Sequence, residues 1–239
     1  MRILLALIFL ISNLVLSQTN TQTDFRSALT GESTNFGTSF FYNQPSKVIL
    51  GSAYLFDEWN NDGEIQTLTG ERFLVRNINL NISRNAFEAK INDNDSIFSF
   101  NFNNIKQIII NGKYYKNYFN NEDNRVYELV YSGKTFSILK GFTVKLVTGS
   151  GNPMVNRSND KYVKKESYFI RAQVESLDDA GSFTNYIIEN FKLSKRSLNK
   201  LFETSSLDIS RILAFIDSSN LSYKDEKDVI RMLEFAFDQ

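Results

Sequence analysis

QIIINGKYYKNYF, residues 107–119, is the stretch that decides the fold. Gln107 to Ile110 is a β-branched apolar run, Asn111-Gly112 follows it, and Lys113 to Phe119 is rich in aromatic residues. Asn-Gly accepts the two left-handed residues of a type I′ turn, whose twist matches that of the strands it joins. The segment reads as an antiparallel hairpin.

Outward from this hairpin the β signal runs from Lys47 to about Asn190. Lys47 to Phe56 reads as a buried strand with Gly51 marking a bulge or a close backbone approach. Glu64 to Thr69 and Arg72 to Ile82 continue it, and Ser83-Arg84-Asn85 turns into Ala86 to Ile91. Within 72–82, Phe73 and Val75 share one face while Ile78, Leu80 and Ile82 share the next, the signature of a bulge. Ile97 to Phe102 alternates cleanly. After the hairpin, Asn120 to Asn124 is a turn, and Arg125 to Tyr131 and Thr135 to Leu139 flank Ser132-Gly133-Lys134. Phe142 to Val147 follows. Gly149 to Lys165 is polar and reads as a long mobile loop. Ser167 to Val174 and Phe183 to Ile188 return to strand.

Past residue 190 the period changes. Leu198, Leu201 and Phe202, then Ile209, Ile212, Leu213 and Ile216, then Val229, Ile230, Leu233 and Phe237 recur at three and four. Three short amphipathic helices are expected, with Ser194 as the first N-cap and Asp225 and Glu226 at the start of the third. Too short to be stable alone, they must pack on each other or on the sheet. The expected class is α+β: a mostly antiparallel β body over roughly 47–190 and a C-terminal bundle of three short helices.

At the other end, MRILLALIFLISNLVLS has the order of a secretory signal peptide: Arg2, an apolar run, then Val15-Leu16-Ser17 as cleavage site. Ser12 and Asn13 interrupt the run, which is too short to span a bilayer. The expected organisation is signal peptide 1–17, flexible polar leader 18–44, β-rich domain 45–190 and helical segment 191–239. The leader ends in Phe40, Phe41 and Tyr42, read as a docking strand packed on the core.

The chain has 239 residues, no cysteine and no histidine. That removes lipid attachment through a cleavage-site cysteine, disulfides, Ser-His-Asp and Cys-His catalysis, and ordinary zinc sites. It also removes the one side chain whose unperturbed pKa lies near neutrality. Lys+Arg and Asp+Glu are both 27, so no basic surplus attracts nucleic acid or anionic lipid.

GSAYLFDEW from Gly51 and GERFLVRNINLNISRNAFE at 70–88 resemble the opening of a group of secreted Bacteroidetes envelope proteins. In that group a G-S-x-Y-L strand precedes a short variable loop and a K-x-V-x-L-R-Y-N-I-Y-x-D-x-x-E strand pair. FKLSKRSLNKLFE at 191–203 and LSYKDEKDVIRMLEF at 221–235 resemble its helical tail. This chain departs from the pattern with Phe56 and Asp57 after the Y-L, and with Ile78 to Ile82 where an aromatic is usual. The resemblance covers about 47–239 and implies an exported protein of the periplasm or outer membrane. It brings no catalytic residues. An N-terminal Gln after cleavage fits the same phylum.

Glu58, Asn60 and Asp62 mimic half of a calcium loop, although Glu58 replaces the leading Asp and Thr69 stands where the closing Glu belongs. Asn92 to Asp95 is a weaker copy, and both are read as polar loops before they are read as metal sites. Ser197 and Lys200 match S-x-x-K without its partner motifs. Ser132 to Thr135 ends like a phosphate loop without the upstream glycine. Asp178 with Asp179, or Asp57 with Glu64, are the carboxylate pairs available to a hydrolase. Asp95-Ser96-Ile97 resembles the Bacteroidetes O-glycosylation signal, with Ser96 as acceptor. Tyr114, Tyr115, Tyr118 and Phe119 form an aromatic cluster in which alternation sets Tyr115 against Tyr114 and Tyr118. The exposed set is suited to stacking on sugar or anchoring a protein.

These features point to a non-enzymatic interaction or scaffold protein without cofactor or metal, working beside other envelope proteins. Type IX secretion and gliding machinery is the candidate complex on biological grounds alone. The alternatives are a glycan-binding module and a carboxylate hydrolase.

Overall fold

Among the described residues, alternating and β-branched sequence builds two sheets, and the 3.6-residue period builds three helices packed on the larger one. In the computed structural model the described residues are 23–24, 37–41, 49–90, 96–120, 123–149, 159–178, 181–205 and 207–237. The signal segment, the Asn92–Asp95 loop and most of the 18–44 leader lie outside them, as does most of the 149–165 segment. The strands are β1 Thr23–Asp24, β2 Gly37–Phe41, β3 Ile49–Leu50, β4 Asp62–Thr67, β5 Arg72–Arg76, β6 Ile78–Asn81 and β7 Ala86–Lys90. They continue as β8 Ser96–Phe100, β9 Ile105–Ile110, β10 Lys113–Asn120, β11 Asp123–Ser132, β12 Phe136–Val147, β13 Asp160–Asp178 and β14 Gly181–Phe191. The helices are α1 Lys195–Thr204, α2 Ile209–Ser218 and α3 Glu226–Phe237. The fold is α+β, with a large mostly antiparallel β body and a helical C-terminal tail. Among the described residues no helix is long and apolar enough to cross a membrane.

The larger sheet has the order β1-β5-β4-β9-β10-β11-β12-β13-β14, with β3 beside β13, and the smaller has β2-β8-β7-β6. Asn111 and Gly112 take φ of 51° and 77°, as the type I′ turn requires. The change of face expected as a bulge inside 72–82 is instead a change of sheet. Asn77, at φ 55°, ends β5 in the large sheet and starts β6 in the small one. Asparagine reaches this left-handed region more readily than other side chains.

Lys47 to Phe56 is not one strand. Only Ile49–Leu50 pairs, in parallel with β13, and Gly51 at φ +75° ends it. An added Cβ there would meet the Tyr162 carbonyl at 3.4 Å, an ordinary contact, so the left-handed backbone and not a close approach is what favours glycine. The chain then runs beside β6, the end strand of the small sheet, through the antiparallel Tyr54–Asn81 bridge. The expected loop 149–165 is shorter, because Asp160 to Lys165 already belong to β13 and pair with β12 from Val147 back to Thr143. The turn at 120–124 is also tighter, with Asn120 paired to Asp123. Within the expected leader, Gly37–Phe41 pairs with β8 and Thr23–Asp24 with β5.

Cross-strand registers place Phe73, Ile65, Ile108, Tyr115, Glu128, Lys140, Tyr168 and Phe191 in one row. We call the face carrying this row the inner face. One end of it packs against the small sheet, joining Ile65, Ile108 and Tyr115 to Leu80, Phe87 and Phe98. The other end carries the helices, joining Phe136, Ile138 and Tyr168 to Leu198, Phe202, Ile216 and Leu233. Two apolar cores therefore share one face, and the row is polar where they meet. An irregularity between Leu129 and Tyr131 brings Tyr131 onto the inner face under the helices.

Helix ends follow the sequence. Ser194 caps α1 by accepting from the Ser197 N–H, Asp208 caps α2, and Asp225 accepts from the Lys227 and Asp228 N–H groups at the start of α3.

Candidate functional site

The opposite, outer face of the large sheet carries Tyr114, Lys116 and Tyr118 on β10, Tyr127 on β11, Leu139 and Gly141 on β12, and Phe169 and Arg171 on β13. On a flat sheet Tyr118 and Arg171 would lie about 14 Å apart sideways and about 20 Å lengthwise. The Arg171 guanidinium carbon nevertheless sits 4.7 Å from the Tyr118 ring centre and 3.5 Å from that of Tyr186 on β14. The long strands must coil around this face and make it concave. Gly141 allows the coil to tighten: an added Cβ would come 2.8 Å from the Phe169 ring and 3.1 Å from the Tyr127 ring. These two rings meet edge to face at 5.4 Å across it.

β11 and β12 pair only from Tyr127 and Gly141 onward, so residues 123–126 and 142–147 diverge. The 82–85 turn plugs the fork. Asn85 accepts from the Val126 N–H at 2.9 Å and donates to the Asn124 carbonyl at 2.7 Å. A cleft of about 280 Å³ opens there, lined in part by Arg125, Thr143, Ser167 and Phe169.

The charges on this face are unbalanced. Among the described residues no carboxylate lies within 4.0 Å of Lys106, Lys116 or Arg171. Burial, and then the neighbouring charges of Lys106 and Arg171, hold the Lys116 ammonium below the ordinary lysine pKa. Burial pushes the Tyr118 phenol up, while Arg171 pulls it the other way.

The inner face is the reverse. The Lys140 ammonium, only 7% exposed, lies 2.5 Å from Glu226 and 3.8 Å from Glu128. Lys113 reaches Glu128 at 2.9 Å and the Tyr168 hydroxyl donates to Glu226 at 2.8 Å. Burial opposes the Lys140 charge. The hydrogen bond to Glu226 and the field of Glu128, Glu226 and Glu166 outweigh it, raising the lysine pKa. Burial first, then these carboxylates, drive the Tyr115 and Tyr168 phenols far up. This seam ties the start of α3 to the sheet at the junction of the two cores. A second buried acid, Glu88 on the small sheet, accepts from the Tyr54 hydroxyl at 2.6 Å and pairs with Arg84 at 3.1 Å.

The four aromatic candidates divide as alternation implies. Tyr115 is 1% exposed and belongs to the core, Tyr114 is 45% exposed on the outer face, and Tyr118 is half-buried beside Arg171. Phe119, 69% exposed, points from the inner-face side at the far end of β10. Glu58 and Asn60 are exposed in the loop before β4, and Asp62 begins that strand opposite Arg76. The Glu58 carbonyl accepts from Asn61 and Asn79. Among the described residues no group of three His, Cys, Asp or Glu side chains is placed to hold a metal. Ser96 is half-buried in β8, paired with Phe41. Ser197 lies 2.9 Å from the Ser194 hydroxyl, inside the cap of α1. Asp57 is held by Lys164 at 2.8 Å, whose hydrogen bond lowers its pKa. Glu64 contacts Gln66 and Arg72. Asp179 lies outside the described residues.

Arg171 and Tyr186 were not among the residues singled out from sequence. They join Tyr118 only through the coil of the sheet. The parity of 167–174 places Arg171 on the same face as Phe169, which is the one signal the sequence holds for it. No family model, curated protein or solved structure matches this chain.

Proposed function

We propose that this chain is a non-enzymatic binding protein, an accessory subunit of an exported assembly of the Bacteroidetes envelope. The observation that carries the reading is β14. Among the described residues no strand pairs with its outer edge. Its sequence, GSFTNYIIENF, contains no lysine, arginine or proline, and Tyr186 and Ile187 are 45% and 42% exposed. Sheets normally blunt their edges with such residues, and an open apolar edge is a template for another strand. An extended segment of an envelope partner adding to β14 is the contact we infer.

At the inner seam Lys140 is pushed up and is held by Glu226, so this lysine is not poised as a general base near neutrality. The test is co-purification from solubilised envelopes, comparing wild type with Ile187→Lys. A defined partner retained by wild type and lost with the charged edge supports the reading. Equal recovery, or none in either case, counts against it.

A second reading, glycan binding, is favoured by the outer face. Tyr114, Tyr118, Tyr186 and Arg171 combine exposed rings with polar groups, as a sugar-stacking surface needs. Loss of glycan-array signal on Tyr114→Ala or Tyr118→Ala tests it.

A further inference from the structure

We propose that the concave outer face binds an acidic polysaccharide, with Arg171 taking a uronate carboxylate. The inference rests on the glycan reading and names the class of glycan.

Arg171 is half-buried with its guanidinium between the rings of Tyr118 and Tyr186, at 4.7 and 3.5 Å. The two rings contact the guanidinium carbon and restrain its position. A guanidinium carries five donors in a rigid fork matched to a carboxylate. Among the described residues none of these donors has a hydrogen-bond acceptor or an ion-pair partner. Partly desolvating a cation without a counterion is unfavourable. On the inner face of the same sheet, Lys113 and Lys140 are neutralised by Glu128 and Glu226. The outer face instead collects Arg171, Lys116 and Lys106 near one another. That asymmetry is what an anion site requires.

Two further features select a sugar chain over an acidic peptide. Tyr114, Lys116 and Tyr118 alternate ring, cation, ring along the outer face of β10 at about 7 Å per step. A uronate polymer offers both kinds of partner in every residue, an apolar pyranose face for a tyrosine ring and a carboxylate for a cation. An extended peptide laid on this surface would find the backbone groups of β9, β10 and β11 already committed to their ladders. Its own amides would lose water without gaining partners. Sugar hydroxyls project around the ring and stay hydrated.

The test is affinity electrophoresis of the full chain against polygalacturonate, neutral pullulan and poly-L-glutamate. Wild type, Arg171→Gln, Arg171→Lys and the distant control Lys161→Gln are compared, with melting curves confirming that each folds. Polygalacturonate should retard wild type and Lys161→Gln alike, with the other two polymers weaker. Arg171→Gln should weaken binding about tenfold, the value of losing one charge-assisted hydrogen bond. Arg171→Lys, which keeps the charge but loses the planar fork, should not restore it. Equal retardation by poly-L-glutamate, or equal losses in Arg171→Gln and Lys161→Gln, overturns the proposal in favour of unspecific charge. Pullulan binding as strong as polygalacturonate binding, unaffected by Arg171→Gln, overturns the acidic class and leaves the glycan reading standing. No retardation by either polysaccharide removes both.

Discussion

Replacing Lys140 by Met should detach the start of α3 from the sheet. Lys140 is 7% exposed, and its ammonium meets Glu226 at 2.5 Å, Glu128 at 3.8 Å and Glu166 at 4.0 Å. Methionine fills similar volume, so the packing loss is small and the electrostatic loss dominates. Removing one partner of a buried ion pair usually costs about 3–5 kcal/mol, because the other charge stays buried. Two features reduce that here. Glu128 keeps Lys113 at 2.9 Å, and Glu226 is 25% exposed and keeps the Tyr168 hydroxyl. A loss of about 2–3 kcal/mol is therefore expected. For a chain of this size that lowers the melting temperature by about 5–10 °C. Circular dichroism on heating measures it, and Lys140→Met with Glu226→Gln should recover part of the loss by removing the stranded carboxylate. Lys140→Met melting with wild type, or a double variant worse than the sum of the singles, would refute the seam as a latch between helices and sheet.

The seam also sets an alkaline limit. The folded-state pKa values of Tyr115, Tyr168 and Lys140 all lie above their ordinary values, 10.0 for the tyrosines and 10.5 for the lysine. Their contribution to stability is complete below these values and falls as pH rises through them toward the folded pKa values. Melting temperature should fall steeply above that range, and less steeply in Tyr168→Phe; parallel slopes would contradict this. Gly141→Val should destabilise by about 1–3 kcal/mol through overpacking against Phe169 and Tyr127, read by urea titration. Millimolar calcium should leave the melting temperature unchanged, since the Glu58 carbonyl is engaged by Asn61 and Asn79 and no three acids among the described residues are placed to hold a metal. A clear rise would restore Glu58, Asn60 and Asp62 as a site.

Local rules were enough for much of the architecture. Asn111-Gly112, the three helical stripes and the Ser194 cap depend on neighbours in sequence, and each appears where the residues place it; the alternating run 97–102 forms a strand that already ends at Phe100. Sheet membership does not depend on neighbours alone. A bulge and a jump between sheets both shift the side-chain pattern by one residue, and only the left-handed Asn77 separates them. Gly51 was visible, but whether it bent a strand or ended one depended on the pairing of Ile49–Leu50 with Asp160–Lys161, more than a hundred positions away. The inner seam left a trace in sequence: Lys140 stands alone in FSILKGF and Glu128 in VYELVY, single charges inside apolar strands. Their mutual distance awaited the register of β11 on β12. Arg171 left almost none, because its partners Tyr118 and Tyr186 reach it through the coil of several strands.

The open edge of β14 is tested most directly by amide hydrogen exchange over Gly181–Phe191, first in the isolated chain and then in the native envelope assembly. The expected result is that the outward-facing amides of β14 exchange much faster than those of central β12 in isolation and slow strongly in the assembly. Exchange in isolation as slow as that of β12, or no slowing in the assembly, would contradict strand addition at this edge.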